Sequence, residues 1–198
     1  MRLDRFYLIL PDATMLAALV PLGARLVQLR LKSDDVAEVR RQVAQSLEIC
    51  AKHGTQLVVN DHWQTAIDLG ADAVHLGQED LDTADLPALR RAGVAIGMST
   101  HDEAELERAL SLSPAYVALG PIYPTLLKQM PWQPQGLEKL TRWKTWISAL
   151  PLVAIGGLTL PRLPGVFAAG ADSAAVVTDI VTAQDPVAQT QTWLRATR

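Results

Sequence analysis

The chain has 198 residues, 49% of them hydrophobic, and its 18 Lys and Arg stand against 21 Asp and Glu for a net charge of −3. That length buries one sizeable core and is expected to form one domain over residues 1–198, while the charge leaves no basic footprint for nucleic acid. No run of about 18 apolar residues offers a membrane span, the opening stretch MRLDRFYLILPD has only a brief apolar run between charges, and the lone Cys50 excludes an internal disulfide, so a cytoplasmic protein is expected.

In chain order, eight short β-rich runs stand out: Phe6 to Leu10, Leu26 to Arg30, Gln56 to Asn60, Ala73 to Leu76, Val94 to Met98, Tyr116 to Leu119, Leu152 to Ile155 and Ala174 to Val177. Most are continuously apolar rather than alternating, as parallel strands are when helices cover them. Helical signals fill the gaps. After the second run, Val36, Val39, Val43, Leu47 and Cys50 form one stripe, and Gly54 is placed to stop it as a left-handed cap. Thr100 and Glu103 have the spacing of a capping box. Leu137, Leu140, Trp143 and Ile147 make another stripe, Trp143 and Trp146 read as helix packing, and Asp185-Pro186 opens a last helix. Strand then helix, eight times, predicts an α/β fold of the (β/α)8 TIM-barrel type. LGADAVHL at 69–76 and AGADSAAVV at 169–177 echo each other as helix stop, turn and new strand, and belong at the bottom of such a barrel.

A barrel gathers the side chains that leave its strands at their C-terminal ends. The second strand offers Gln28, Arg30 and Lys32 on one face by period-two geometry. Later strand ends offer Asn60 and Asp61 from VVNDHW, Gln78 and Asp80 from HLGQED, Ser99 and His101, Thr125 and Lys128, Gly156 and Gly157, and Thr178. Three cations facing two carboxylates suit a polyphosphate shared between basic side chains and a Mg²⁺ held by Asp61 and Asp80. A second reading is equally open, in which the carboxylates pair with Arg30 and Lys32 across the mouth. The glycines after the seventh run and Thr178 after the eighth fall where barrels often bind one phosphate on backbone N–H groups. His53 and His62 lack metal-ligand spacing and read as surface or capping residues, and His75 as a satisfied core histidine. YPTLLKQMPWQPQG, 123–136, is long for a barrel loop and reads as a lid, or as a static loop pinned by Trp132.

QLRLK, VNDHW, VHLGQEDL, GMSTHD, LGPIYPTLLKQM, VAIGGL and GADSAAVVTDI resemble, in order, the motifs of the thiamine phosphate synthase family, from about Leu26 to Ile180. The resemblance implies a transferase that condenses 4-amino-2-methyl-5-hydroxymethylpyrimidine diphosphate with a (carboxy)thiazole phosphate, giving thiamine phosphate and diphosphate in thiamine biosynthesis. It implies that Gln28, Arg30, Lys32, Asn60, Ser99 and Lys128 hold the pyrimidine diphosphate, with Arg30 and Lys128 catalytic. It further implies that Asp61 and Asp80 hold Mg²⁺ and that Thr125, Gly157, Val177 and Thr178 hold the thiazole phosphate. The partners implied are phosphorylated small molecules, with no nucleic acid and no membrane; a homo-oligomer is compatible with them. Two departures bear on the thiazole side. Leu127 replaces a family threonine, so it lines that site as apolar cover, and Asp179 follows Thr178 where a small residue is usual, adding repulsion if it points inward.

Two rivals share the motifs. A thiazole tautomerase-like isomerase resembles the chain in IGGL and GAD, but typically has a histidine where this chain has Pro121, and lacks the second aspartate, here Asp80. A non-catalytic sensor of phosphorylated thiamine precursors would not require the full set of Arg30, Asp61, Asp80 and Lys128; Leu127 is its best support.

Overall fold

The computed structural model describes residues 1, 3–125 and 132–198. Eight parallel strands close into a barrel in sequence order: β1 (Phe6–Leu10), β2 (Leu26–Leu29), β3 (Gln56–Asn60), β4 (Ala73–Leu76), β5 (Ala95–Thr100), β6 (Tyr116–Leu119), β7 (Leu152–Ile155) and β8 (Ser173–Val176), with β8 pairing back onto β1. The expected barrel is therefore present, with strand bounds shifted by a residue or two at β2, β5 and β8.

Around it run α1 (Ala13–Leu19), α2 (Val36–His53), α3 (Trp63–Leu69), α4 (Leu86–Arg91), α5 (Glu103–Ser111), α6 (Gly136–Ile147), α7 (Leu163–Ala168), α8 (Thr178–Val181) and α9 (Pro186–Thr197). Among the described residues no helix is long and apolar enough to cross a membrane. Gly54 caps α2 in the left-handed conformation at φ 62, as expected. Asp185 caps α9 by accepting from the Ala188 N–H, also as expected. At the bottom of the barrel, Asp172 of the second GAD turn accepts from the Leu152 N–H and pairs with Lys144, so its work is structural.

Three helix expectations need correction. The capping box of α5 is Asp102 with Glu105, two residues on from Thr100 and Glu103: Asp102 accepts from Glu105 N–H and Glu105 accepts from His101 N–H. Thr100 instead ends β5 and donates to the Ala118 carbonyl. Val36 begins α2 but is 68% exposed, and the buried stripe starts one turn later at Val39. Trp146 is likewise exposed while Trp143 is fully buried; the two sit three residues apart, and only one lies on the inward arc of α6.

Two apolar clusters follow from strand alternation. Residues facing the helices, such as Phe6, Leu8, Val59, Val74 and Leu119, join the helix stripes in one large core. A smaller cluster inside the barrel contains Tyr7, Ile9, Leu26, Val58, Ala73, Tyr116, Ala118, Val153 and Ala175. Moving two residues along several of these strands replaces an apolar side chain with a polar one: Leu26 by Gln28, Val58 by Asn60, Ala73 by His75, Gly97 by Ser99. The barrel interior is thus dry at the bottom and polar at the C-terminal end.

Candidate active site

β2 carries Gln28 inside the barrel at 3% exposure, then Arg30, half-buried, and Lys32, exposed. No described residue accepts from the Arg30 guanidinium, whose backbone N–H is held by the Leu10 carbonyl at 2.8 Å. β3 ends on buried Asn60, and the chain then turns sharply at Asp61, which takes a left-handed φ of 62. Asp tolerates that conformation better than most residues. The turn is fixed by Asp61 N–H donating to the His75 carbonyl on β4 and Trp63 N–H donating to the Asp61 carbonyl. It aims the Asp61 carboxylate at Lys32, which meets it at 2.6 Å.

Asp80, after β4, folds back so that Oδ2 accepts from the Gly77 N–H at 2.9 Å. A β-carbon at position 77 would lie 3.0 Å from that oxygen, so glycine makes the close approach possible. Burial raises the proton affinity of Asp80, and the neighbouring Asp61 carboxylate raises it further, while Gly77 and Lys32 oppose the shift. Two carboxylates pressed together in this way have a surplus of negative charge, which a hard divalent cation would relieve. Among the described residues no third acidic, histidine or cysteine side chain joins them, which fits Mg²⁺, an ion that keeps several waters and takes its other ligands from substrate phosphate. Both the ion-pair reading and the metal reading fit this arrangement: Lys32 occupies one Asp61 oxygen, the Gly77 N–H one Asp80 oxygen, and the two carboxylates lie close enough to share a proton.

Inside the barrel, below these charges, runs a chain of hydrogen bonds that sequence reasoning did not find. Gln28 Nε2 donates to the Tyr7 hydroxyl at 2.8 Å, Tyr7 and Tyr116 hydroxyls meet at 2.9 Å, Tyr116 meets His75 Nδ1 at 2.9 Å, and His75 Nε2 meets Ser99 Oγ at 2.8 Å. His75 is thus a buried, satisfied histidine, as expected, and burial pushes its pKa down to about 4. Burial also raises the pKa of both tyrosines. The available signal was two tyrosines at inward positions of aliphatic strands, with Gly97 opposite one of them. Gln78 joins from β4 by donating to the Ser99 carbonyl at 2.7 Å.

On the other side of the mouth, Gly156 and Gly157 adopt φ of 93 and 66, and a β-carbon on Gly157 would lie 2.5 Å from the Pro124 carbonyl oxygen. These glycines let the loop after β6 lie directly on the loop after β7. Val177 and Thr178 sit at the start of α8, and Thr125 ends the described part of the β6 loop, all three half-buried. Asp179 does not point inward: its Oδ2 accepts from Gln189 Nε2 and Trp193 Nε1, both at 2.7 Å, tying α8 to α9. Lys128 and Leu127 lie outside the described residues. Beyond them, Trp132 stacks on His101 with centroids 5.2 Å apart and planes within 5°. His101 is fixed in turn by Glu105 at 2.8 Å, so it serves the rim rather than the mouth. His62 lies at the start of α3, its ring against the Leu31 carbonyl.

A closed parallel barrel with amide, basic and acidic side chains at the C-terminal ends of its strands defines a (β/α)8-barrel enzyme. A family model described as thiamine monophosphate synthase matches residues 7–180, and the chain belongs to that family. It is 54% identical over 197 residues to a thiamine-phosphate synthase of Rhizobium etli, covering all of this chain and 97% of that one. It is 47% identical over 184 residues to a thiamine-phosphate synthase of Neisseria meningitidis, covering 93% and 90%. The fold is similar to that of a thiamine phosphate pyrophosphorylase from Pyrococcus furiosus, with a TM-score of 0.86 at 24% identity over 98% of this chain and 95% of that one.

Proposed function

We propose that residues 1–198 form one domain that condenses 4-amino-2-methyl-5-hydroxymethylpyrimidine diphosphate with a (carboxy)thiazole phosphate, giving thiamine phosphate and diphosphate in the cytoplasm; where the thiazole is the carboxy form, its carboxylate leaves as CO2 and a proton takes its place. The observation that carries this reading is the Asp61–Asp80 pair lying against Lys32 at the barrel mouth, in a chain 54% identical over its length to a thiamine-phosphate synthase.

Diphosphate leaves a carbon readily once the charge that builds on its oxygens is neutralised. Arg30 and Lys32 from β2 and Lys128 after β6 supply that neutralisation, with Arg30 and Lys128 in the catalytic role and the Asn60 amide and Ser99 hydroxyl orienting the group. Asp61 and Asp80 hold Mg²⁺, which when bound adds Lewis-acid neutralisation of the phosphate oxygens. The C–O bond breaks with its electron pair leaving on diphosphate, and the electron-rich aminopyrimidine, held by Gln28, bears the positive charge. Thr125, Gly157, Val177 and Thr178 hold the thiazole phosphate so that the ring nitrogen's lone pair forms the new C–N bond. Leu127 excludes water that would otherwise trap the cation. No protein nucleophile is required.

Incubating the purified chain with both substrates, with Mg²⁺ or with chelator, tests the reading. Thiamine phosphate formed only with Mg²⁺ supports it. Interconversion of thiazole isomers without condensation would favour the tautomerase reading, and binding without turnover the sensor.

A further inference from the structure

The hydrogen-bond chain inside the barrel has a direction, and its direction decides what the site presents. Tyr7 is 1% exposed and Tyr116 fully buried, so neither phenol can give its proton to bulk water. Tyr7 already accepts an N–H from Gln28, so its own proton goes to Tyr116. Tyr116 then gives its proton to His75 Nδ1. With Nδ1 accepting, the single proton of a neutral imidazole falls on Nε2, which lies 2.8 Å from Ser99 Oγ and donates to it. Every hydroxyl and imidazole proton between the two ends is used, and what remains is the Ser99 hydroxyl proton at one end and, at the other, the second Nε2–H of Gln28 and its Oε1, which accepts from no described residue.

With Gln28 Nε2 on the Tyr7 hydroxyl, other proton placements fail the same count. With a proton on His75 Nδ1, whether the ring is neutral or charged, Tyr116 must turn its own proton back onto Tyr7. The Tyr7 proton then faces the Gln28 N–H and has no acceptor. Reversal requires the Gln28 amide to turn over together with every proton along the chain. The two ends are therefore coupled, although they lie on β2 and β5: a donor at Ser99 comes with an acceptor at Gln28, and the converse.

We propose that Tyr7, Tyr116 and His75 are positioning residues that fix the hydrogen-bonding sense of the two groups at the ends of this chain. Ser99 faces the site as a donor, suited to a phosphate oxygen, and Gln28 as an acceptor through Oε1, suited to the exocyclic amino group of an aminopyrimidine. The sense itself stands on the barrel interior; the identity of the groups it meets rests on the function proposed above. The coupling makes the pair a specificity device. A 4-oxo analogue of the pyrimidine diphosphate would set oxygen against oxygen at Gln28, and turning the amide to suit it would turn the Ser99 proton away from the diphosphate.

The chain has four histidines, so the ring nitrogens of His75 can be resolved by ¹⁵N NMR of histidine-labelled full-length protein and assigned with His75→Asn. In the substrate-free wild type, Nε2 is expected to carry the proton and Nδ1 to be bare; in Tyr116→Phe, which keeps the ring but removes the donor to Nδ1, the two tautomers are expected to mix. A proton on Nδ1 in the wild type overturns the proposal. In turnover, the wild type is expected to prefer the amino over the oxo substrate by about a hundredfold or more in kcat/KM, and Tyr7→Phe, which frees the Gln28 amide, to lower that preference to about tenfold or less. An unchanged preference in a folded Tyr7→Phe protein also overturns it. If the chain turns over neither pyrimidine, the proposed function fails, while the wild-type tautomer still upholds or overturns the assigned sense by itself.

Discussion

Gly97 on β5 and Tyr116 on β6 are register partners, and a β-carbon on Gly97 would lie 2.0 Å from Cζ of the tyrosine ring. The glycine is the space into which Tyr116 lies, and Tyr116 cannot withdraw because its hydroxyl is bonded to both Tyr7 and His75. Gly97→Ala is therefore expected to destabilise the fold by about 1–3 kcal/mol through overpacking. Urea denaturation measures this, and a midpoint equal to wild type would show that the ring has room to move.

Asp80 is expected to link metal, protons and stability. Its proton affinity is raised in the fold, so its favourable contribution is present at pH below its unfolded pKa and is lost as pH rises through the folded one. At neutral pH without metal, Asp80→Asn should then have a higher Tm than wild type, since the amide keeps an acceptor for Gly77 and removes the charge facing Asp61. With Mg²⁺ the order should reverse, because only the wild type gains from the ion. Thermal unfolding at neutral pH, with Mg²⁺ and with chelator, gives both halves; a Tm for Asp80→Asn below wild type in chelator would contradict the crowding of the two carboxylates.

Arg30→Met and Lys128→Met are each expected to lose a charge-assisted contact of about 1.5–3 kcal/mol, or about ten- to a hundredfold in kcat/KM for the pyrimidine diphosphate. Steady-state kinetics at fixed, saturating thiazole phosphate isolates that term. Wild-type kcat/KM in either variant would remove that residue from the catalytic role.

Asp179→Ala should act on stability and not on substrate. The carboxylate is held by Gln189 and Trp193, so its loss leaves the buried Trp193 N–H without a partner, at a cost of about 1–3 kcal/mol. KM for the thiazole phosphate should stay within about twofold of wild type, since a shift that small is about 0.4 kcal/mol. A large fall in KM would mean that the charge does reach the phosphate.

The barrel was legible because eight apolar runs alternate with helical stripes, and strand position alone brought Gln28, Asn60, Asp61, Asp80 and Ser99 to one end. What was not legible depends on contacts between distant strands. Tyr7 and Tyr116 are 109 residues apart, and nothing local in either strand distinguishes a phenol bonded within the barrel from one packed against a helix. The capping box at α5 was misplaced because Thr100 and Asp102 both stand three residues before a glutamate; β5 runs on to Thr100, and only the ladder to β6 decides between them. Val36 fits the apolar stripe of α2 but stands exposed in its first turn, and Trp146 lies off the arc of α6 that buries Leu140, Trp143 and Ile147; periodicity alone does not say where a buried stripe begins or how wide it is. Asp179 is the opposite case: its place beside Thr178 implies repulsion of a phosphate, and Gln189 and Trp193 on α9 turn it away.

One reaction decides whether this barrel makes thiamine phosphate: the chain with pyrimidine diphosphate and thiazole phosphate, quenched over time, with thiamine phosphate and diphosphate measured in the same samples across a Mg²⁺ titration. Both products are expected in a one-to-one ratio, rising together with Mg²⁺ in the wild type and failing to rise in Asp61→Ala. Diphosphate without thiamine phosphate, no product at saturating Mg²⁺, or a wild-type response in Asp61→Ala would contradict it.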